Sequence, residues 1–108
     1  MAQLELDTEE TEGQVRLALR GELDIASASI LEEALVRVEQ DAPPVLVIDL
    51  RQLEFMDSTG LRTVVSADQR ARDAGRRLTV VRGPEPVDRI FAVTRLDERL
   101  ELVDDPAA

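Results

Sequence analysis

The sequence predicts an α/β fold: a mixed four- to five-stranded β-sheet with α-helices packed on it. Three observations lead there. The N-terminal stretch alternates apolar and polar residues with a period of two. A mid-chain apolar run, Val45-Leu46-Val47-Ile48-Asp49-Leu50, has the character of a central strand. Stretches of helical spacing flank that run on both sides. A chain of 108 residues accommodates one core of ordinary size, so residues 1–108 read as a single domain, with about 104–108 as a frayed tail.

Each element has its own signal. Leu4-Glu5-Leu6 alternates, and Gln14 to Arg20 does so with Val15, Leu17 and Leu19 on one face; a turn at Glu12-Gly13 makes the two an antiparallel hairpin. Gly21-Glu22-Leu23-Asp24 reads as a loop. From Ser27 to Gln40, Ala28, Leu31, Ala34, Leu35 and Val38 recur at helical spacing, with Ser27 or Ser29 available as cap and Glu32 and Glu33 near the start. Pro43-Pro44 ends that helix. After the central strand, Arg51 to Asp57 reads as a loop. A second helix runs from about Ser58 to Ala74 and stops at Gly75, with Leu61, Val64, Val65 and Ala71 inward and Arg62, Asp68, Arg70 and Arg72 mostly outward. Leu78 to Val81 is a short strand. Pro84 and Pro86 open a third helix through Ile90-Phe91-Ala92-Val93. A turn at Leu96-Asp97-Glu98 leads to Leu100 to Val103, a strand or a helix end.

Composition removes most chemistries. Cysteine and histidine are absent, and all 13 basic residues are arginine. Disulfides, thiolate nucleophiles, the usual zinc sites, imidazole bases, Ser–Lys dyads and Schiff bases are therefore excluded by residue type. No metal and no cofactor is expected. The net charge of −10 repels phosphate backbones and anionic lipid, so neither nucleic acid nor a membrane is an expected partner. Met1 to Glu12 lacks the basic and apolar regions of a signal peptide, and no apolar stretch is long enough to cross a bilayer, which predicts a cytoplasmic chain.

Two segments are expected beyond the carboxyl ends of the strands, where α/β sheets gather ligands and partners. One is Gly21-Glu22-Leu23-Asp24. The other is Phe55-Met56-Asp57-Ser58-Thr59-Gly60-Leu61. Ser58 and Thr59 open the second helix, where backbone N–H groups lack intrahelical partners and the dipole end is positive, so a phosphate on Ser58 would find N–H groups waiting. Asp-Ser-Thr is equally ordinary N-cap composition, and a cap hydroxyl can also accept a phosphoryl group. Asp24 and Asp57 read as a turn residue and a cap residue in preference to a Mg²⁺ pair.

Taken together, these segments resemble the bacterial anti-sigma factor antagonists, which are single STAS domains. Phe55 to Leu61 is similar to the family's phosphorylation signature, and Gly21 to Asp24 before a Ser/Ala-rich helix start is similar to its other hallmark. Val47 to Leu50 matches the central strand, and Leu96-Asp97 the C-terminal turn. The resemblance covers nearly the whole chain in order. It implies a STAS fold and a partner switch. The unphosphorylated form binds an anti-sigma factor that is also a serine/threonine kinase and so releases a sigma factor. Phosphorylation at Ser58 ends the binding, and a PP2C-type phosphatase restores it. Asp57, Thr59, Gly60 and Asp24 would support the phosphosite; Gly21, Glu22, Leu23, Asp24, Ser58, Thr59, Gly60, Leu61 and Arg62 would meet the partner. The chain would be a kinase substrate and not an enzyme, and a monomer or at most a weak dimer.

Three positions depart from the family pattern. Arg62 stands where a small residue is frequent, as a solvated cation or as a partner for a phosphate on Ser58. Arg95 stands where Gly usually precedes Leu-Asp, and is strained if the position needs a positive φ. Ser29 replaces a frequent Pro. The alternative function is a STAS scaffold that is never phosphorylated, a subunit of a signalling or lipid-transport complex. A receiver domain is disfavoured because its chemistry needs a lysine, and a Ser58 hydrolase because the candidate bases are only carboxylates.

Overall fold

A computed structural model describes residues 3–104. The elements, in order, are β1 (Glu5–Thr11), β2 (Gln14–Leu23), α1 (Ala28–Glu39), β3 (Val45–Met56), α2 (Ser58–Asp73), β4 (Arg77–Val81), α3 (Glu85–Val93), a single 3₁₀ turn (Leu96–Glu98) and β5 (Glu101–Val103). The expected frayed tail lies, apart from Asp104, outside the described residues, as do Met1 and Ala2. The sheet is mixed and five-stranded, in the order β1-β2-β3-β4-β5. β1 and β2 form the antiparallel hairpin; every later neighbour is parallel. Among the described residues no helix is long and apolar enough to cross a membrane.

Strand periodicity places the core. Val15, Leu17 and Leu19 of β2 and Leu46, Ile48 and Leu50 of β3 join Leu31 and Leu35 of α1, Leu61 and Val64 of α2, and Val87 and Phe91 of α3 in one cluster. Burying each such side chain contributes roughly 1.5–3 kcal/mol. The intervening positions of β3 face the other side of the sheet. There Asp49, its side chain 4% exposed, is covered by Arg16 at 2.6 Å and Arg51 at 2.9 Å. Burial alone would raise the Asp49 carboxyl. Hydrogen bonds from the Arg51 side chain and backbone and from Arg16 outweigh it, and hold the group below the ordinary aspartate value. At the sheet edge, β1 shows solvent mostly Glu, Asp and Thr, charges that discourage pairing with another chain.

Both segments expected to be loops are strand. β2 extends through Leu23 and β3 through Met56. In β3 the signal is broken by two register shifts, whereas β2 keeps its period of two through Leu23 and only Gly21 suggested a loop. Ala18 pairs with Asp49 but Arg20 with Gln52, and Gly21 pairs with Leu53 but Glu22 with Phe55. Each shift inserts one residue into β3, so buried positions run Leu50, Leu53, Met56 while Arg51, Gln52, Glu54 and Phe55 are exposed. Bulges of this kind break the period-two pattern without ending the strand.

Three smaller expectations change. Asp68 is buried, bonded by Arg72 Nε at 2.8 Å and approached by Arg99 Nε at 3.7 Å. It lies seven residues after Leu61 and four after Val64, on the inward stripe; its charge suggested the wrong side. Ser27 occupies the position before α1 but its hydroxyl does not cap the helix, Ser29 lies inside α1, and the first turn carries no acidic residue. Arg95 follows α3 at φ 63°, ψ 18°, so the position does require the left-handed region and a non-glycine residue holds it.

Candidate functional site

Leu23 and Met56 are register partners at the carboxyl ends of β2 and β3, so the chain leaves the sheet twice at neighbouring points. Asp57 N–H donates to the Leu23 carbonyl at 3.1 Å. The two predicted segments therefore meet.

The Asp57 side chain organises the junction. Its Oδ1 accepts from Thr59 N at 2.9 Å and Gly60 N at 3.0 Å, an N-cap on α2. Its Oδ2 accepts from Ile25 N at 3.2 Å. Asp24 plays the matching part at α1: Oδ1 accepts from Ala26 N at 3.0 Å and Ser27 N at 3.1 Å. Ser27 Oγ donates to the Glu22 carbonyl at 2.8 Å and accepts from Asp24 N at 3.0 Å. Both aspartates are thus committed to backbone N–H groups, as turn and cap residues. Among the described residues no group of three or more metal-ligating side chains gathers.

This geometry corrects the expectation that helix N–H groups stand open to a phosphate on Ser58. Two of them are already taken by Asp57. Ser58 itself is exposed at the first position of α2. Among the described residues no base is hydrogen-bonded to its hydroxyl.

Two glycines explain the tight fit. A Cβ on Gly60 would lie 2.6 Å from Leu23 Cγ and 2.9 Å from the Leu23 carbonyl oxygen. A Cβ on Gly21, whose φ is +96°, would fall 1.9 Å from the Gln3 carbonyl oxygen. Of the residues expected to meet a partner, Gly21, Leu23, Gly60 and Leu61 are buried and build the site from beneath. Ser58 and Arg62 are exposed; Glu22, Asp24, Asp57 and Thr59 are half-buried.

The sequence reading missed three exposed apolar side chains on the segments that flank this junction. Ile25 is 79% exposed and Phe55 49%, with Ile30 on α1 at 42%. Ile25 stands in the loop tied to Asp57, and Phe55 two residues before it. Large apolar side chains left exposed beside such a junction are candidates for contact with a partner. A signal was available: Ile25 follows Asp24 in a loop, and Phe55 precedes the Met-Asp-Ser-Thr-Gly run, in neither case on a helical stripe.

Comparisons with known proteins agree with this arrangement. Residues 6–104 match the family model described as "Mlab, STAS domain". The anti-sigma-F factor antagonist RsfB of Mycobacterium tuberculosis is 37% identical over 71 residues, which cover 66% of this chain and 58% of RsfB. The match thus spans less than two thirds of that relative. The anti-sigma-B factor antagonist of Bacillus subtilis is 28% identical over 92% of this chain and 90% of its own. The crystal structure of an anti-sigma factor antagonist from Mycobacterium paratuberculosis superposes with a TM-score of 0.89 at 28% identity, covering 96% of this chain and 88% of that one.

Proposed function

The chain belongs to the STAS domain family, and from that premise we propose that it is an anti-sigma factor antagonist switched by phosphorylation of Ser58. In its unmodified form it binds an anti-sigma factor serine/threonine kinase through the surface around Ser58, Ile25 and Phe55. The names of its relatives support the antagonist role.

One observation carries the switch: an exposed serine follows a carboxylate that is fixed in place and that also holds the loop carrying the exposed Ile25. In the transfer, Ser58 Oγ bonds to the γ-phosphorus of the kinase's ATP, the bond to the β-phosphate oxygen breaks, ADP leaves, and the hydroxyl proton passes to a base of the kinase. The product adds roughly −1.5 to −2 charges at that spot. Because Asp57 holds the nearest N–H groups, the phosphate gains little from the helix end and presents its charge outward. An apolar contact closing over it would have to desolvate two neighbouring anions, which can cost several kcal/mol, and each ~1.4 kcal/mol is tenfold in affinity. Arg62 lies four residues on, on the same helix face, and offers the phosphate a partner that keeps the modified domain folded. A PP2C-type phosphatase resets the switch.

Incubation with the cognate kinase and ATP, followed by mass spectrometry, tests this. The wild type should gain one phosphate, about 80 Da, mapped to Ser58; Ser58→Ala should gain none yet bind the kinase through repeated ATP addition. Modification at Thr59 alone would move the switch by one residue and overturn the assignment. Partner binding with no phosphate gained would favour the unphosphorylated scaffold.

A further inference from the structure

At the end of the sheet opposite Ser58, where β4 and β5 begin and α2 ends, lies an open, solvent-facing groove of about 470 Å³. Its wall carries Arg72, Arg76, Arg77 and Arg99 against only two carboxylates, Asp68 and Glu101. On a chain of net charge −10, this concentration of cations runs against the general field.

The pairing inside the groove is unequal. Asp68 accepts from Arg72 at 2.8 Å and faces Arg99 at 3.7 Å. Arg77 pairs with Glu101, Nε at 2.9 Å, and holds that carboxyl below its usual range. Arg72 also donates to the Arg99 carbonyl, and Arg99 to Gln69. Arg76 has no ion pair among the described residues, and its Nε is buried with no hydrogen-bond partner. A buried donor left unmade typically costs ~1–3 kcal/mol, more on a charged group, so its persistence calls for an acceptor. The last carbonyls of α2 do not supply it: Arg70, Ala71 and Arg72 oxygens accept from Ala74, Arg76 and Gly75 N–H.

We propose that this groove is an anion site that takes a small phosphate-bearing ligand, with the Arg76 guanidinium as its principal contact. A guanidinium edge pairs with two phosphate oxygens at once. The volume falls within the range of small-molecule sites and exceeds what one phosphate fills. Arg99 and Arg77 flank the opening as secondary cations. The site is independent of the Ser58 reading, being built from other residues at the other end of the sheet.

Titration of the ¹⁵N-labelled full chain with pyrophosphate, and separately with ADP, tests the site without any partner protein. Pyrophosphate should bind saturably, with amide shifts concentrated at residues 72–78 and 99–101. Arg76→Gln should weaken it at least tenfold, and Arg76→Lys should fall between. Tighter binding of ADP than of pyrophosphate would identify the source as a nucleotide; equal binding would identify a free diphosphate. Shifts scattered over Arg16, Arg51 and Arg62, or an affinity unchanged in Arg76→Gln, would overturn the site. Shifts at these residues from a hexaglutamate peptide but none from pyrophosphate would overturn the ligand class. The wild-type shift map decides even if a variant loses its fold.

Discussion

The Ile25 backbone N–H donates to Asp57 Oδ2 at 3.2 Å, while the other oxygen of the same carboxylate caps α2. One side chain thereby holds a helix start and a loop from the neighbouring strand in a fixed relation. The apolar side chain of Ile25 and the hydroxyl of Ser58 are presented together because Asp57 ties both segments.

Replacing Asp57 should separate these duties. Asp57→Ala removes both, and loss of an N-cap typically costs about 0.5–2 kcal/mol. Urea denaturation should show a loss in the upper half of that range. Asp57→Asn keeps one carbonyl oxygen for the cap, so its loss should stay below ~1 kcal/mol, while exchange of the Ile25 amide quickens. Equal destabilisation by the two variants would contradict the division of roles.

Ile25 and Phe55 should matter to binding and not to folding. Both are exposed, and surface substitutions of this kind usually change stability by no more than ~0.5 kcal/mol. Exposed aromatic and aliphatic anchors can each contribute ~2 kcal/mol or more at an interface. Phe55→Ala and Ile25→Ser are expected to melt like the wild type and to bind the proposed anti-sigma factor kinase at least tenfold more weakly in calorimetry. A docking surface elsewhere would leave both affinities intact.

The contrast between Phe55 and Phe91 shows how far the sequence was legible. Phe91 falls in the third helix that Pro84 and Pro86 announce in the sequence, and the structure buries it fully. Phe55 follows two strand bulges, where neither a period of two nor one of 3.6 applies, so its side could not be read. The same bulges hid the end of β3 beyond Leu50, whereas β2 keeps its period of two through Leu23 and was cut short at Gly21, a residue that reads as a turn. At the site, Ser58, Asp57 and Asp24 were found from cap and turn chemistry, which is local. That Gly60 packs on Leu23, and that Asp57 reaches Ile25, depends on adjacent strands 32 residues apart in sequence. Asp68 was misplaced because charge was weighed above the stripe it lies on; its arginine partners come from α2 and from the segment before β5.

Acid should weaken the fold through Asp49. Its folded-state carboxyl titrates below the ordinary value, whereas in the unfolded chain it titrates near ~3.9. Its contribution is therefore complete above ~pH 4 and is lost as pH falls through the lower, folded value. Asp49→Asn should be less stable than the wild type at pH 7 by about 1.5–3 kcal/mol, the range for hydrogen bonds to charged groups. That gap should narrow below pH 4. A gap that stays constant from pH 7 to pH 3 in parallel urea titrations would remove Asp49 from the acid response.

Arg95 offers the opposite kind of change, a substitution that should strengthen the fold. At φ 63° a Cβ crowds the backbone, a strain of roughly 1–2 kcal/mol that glycine avoids. The side chain gives little in return. It is 85% exposed, and its Glu98 contact at 3.6 Å is a surface pair, worth at most ~1 kcal/mol. Glycine adds back ~0.5–1 kcal/mol of backbone entropy. Arg95→Gly should therefore raise stability by up to ~1 kcal/mol, a few degrees in Tm. Arg95→Ala should lower it, because it keeps the Cβ and loses the ion pair. A melting curve in which alanine is tolerated as well as glycine would mean that the turn after α3 relaxes out of the left-handed region and that the position imposes no demand on its residue.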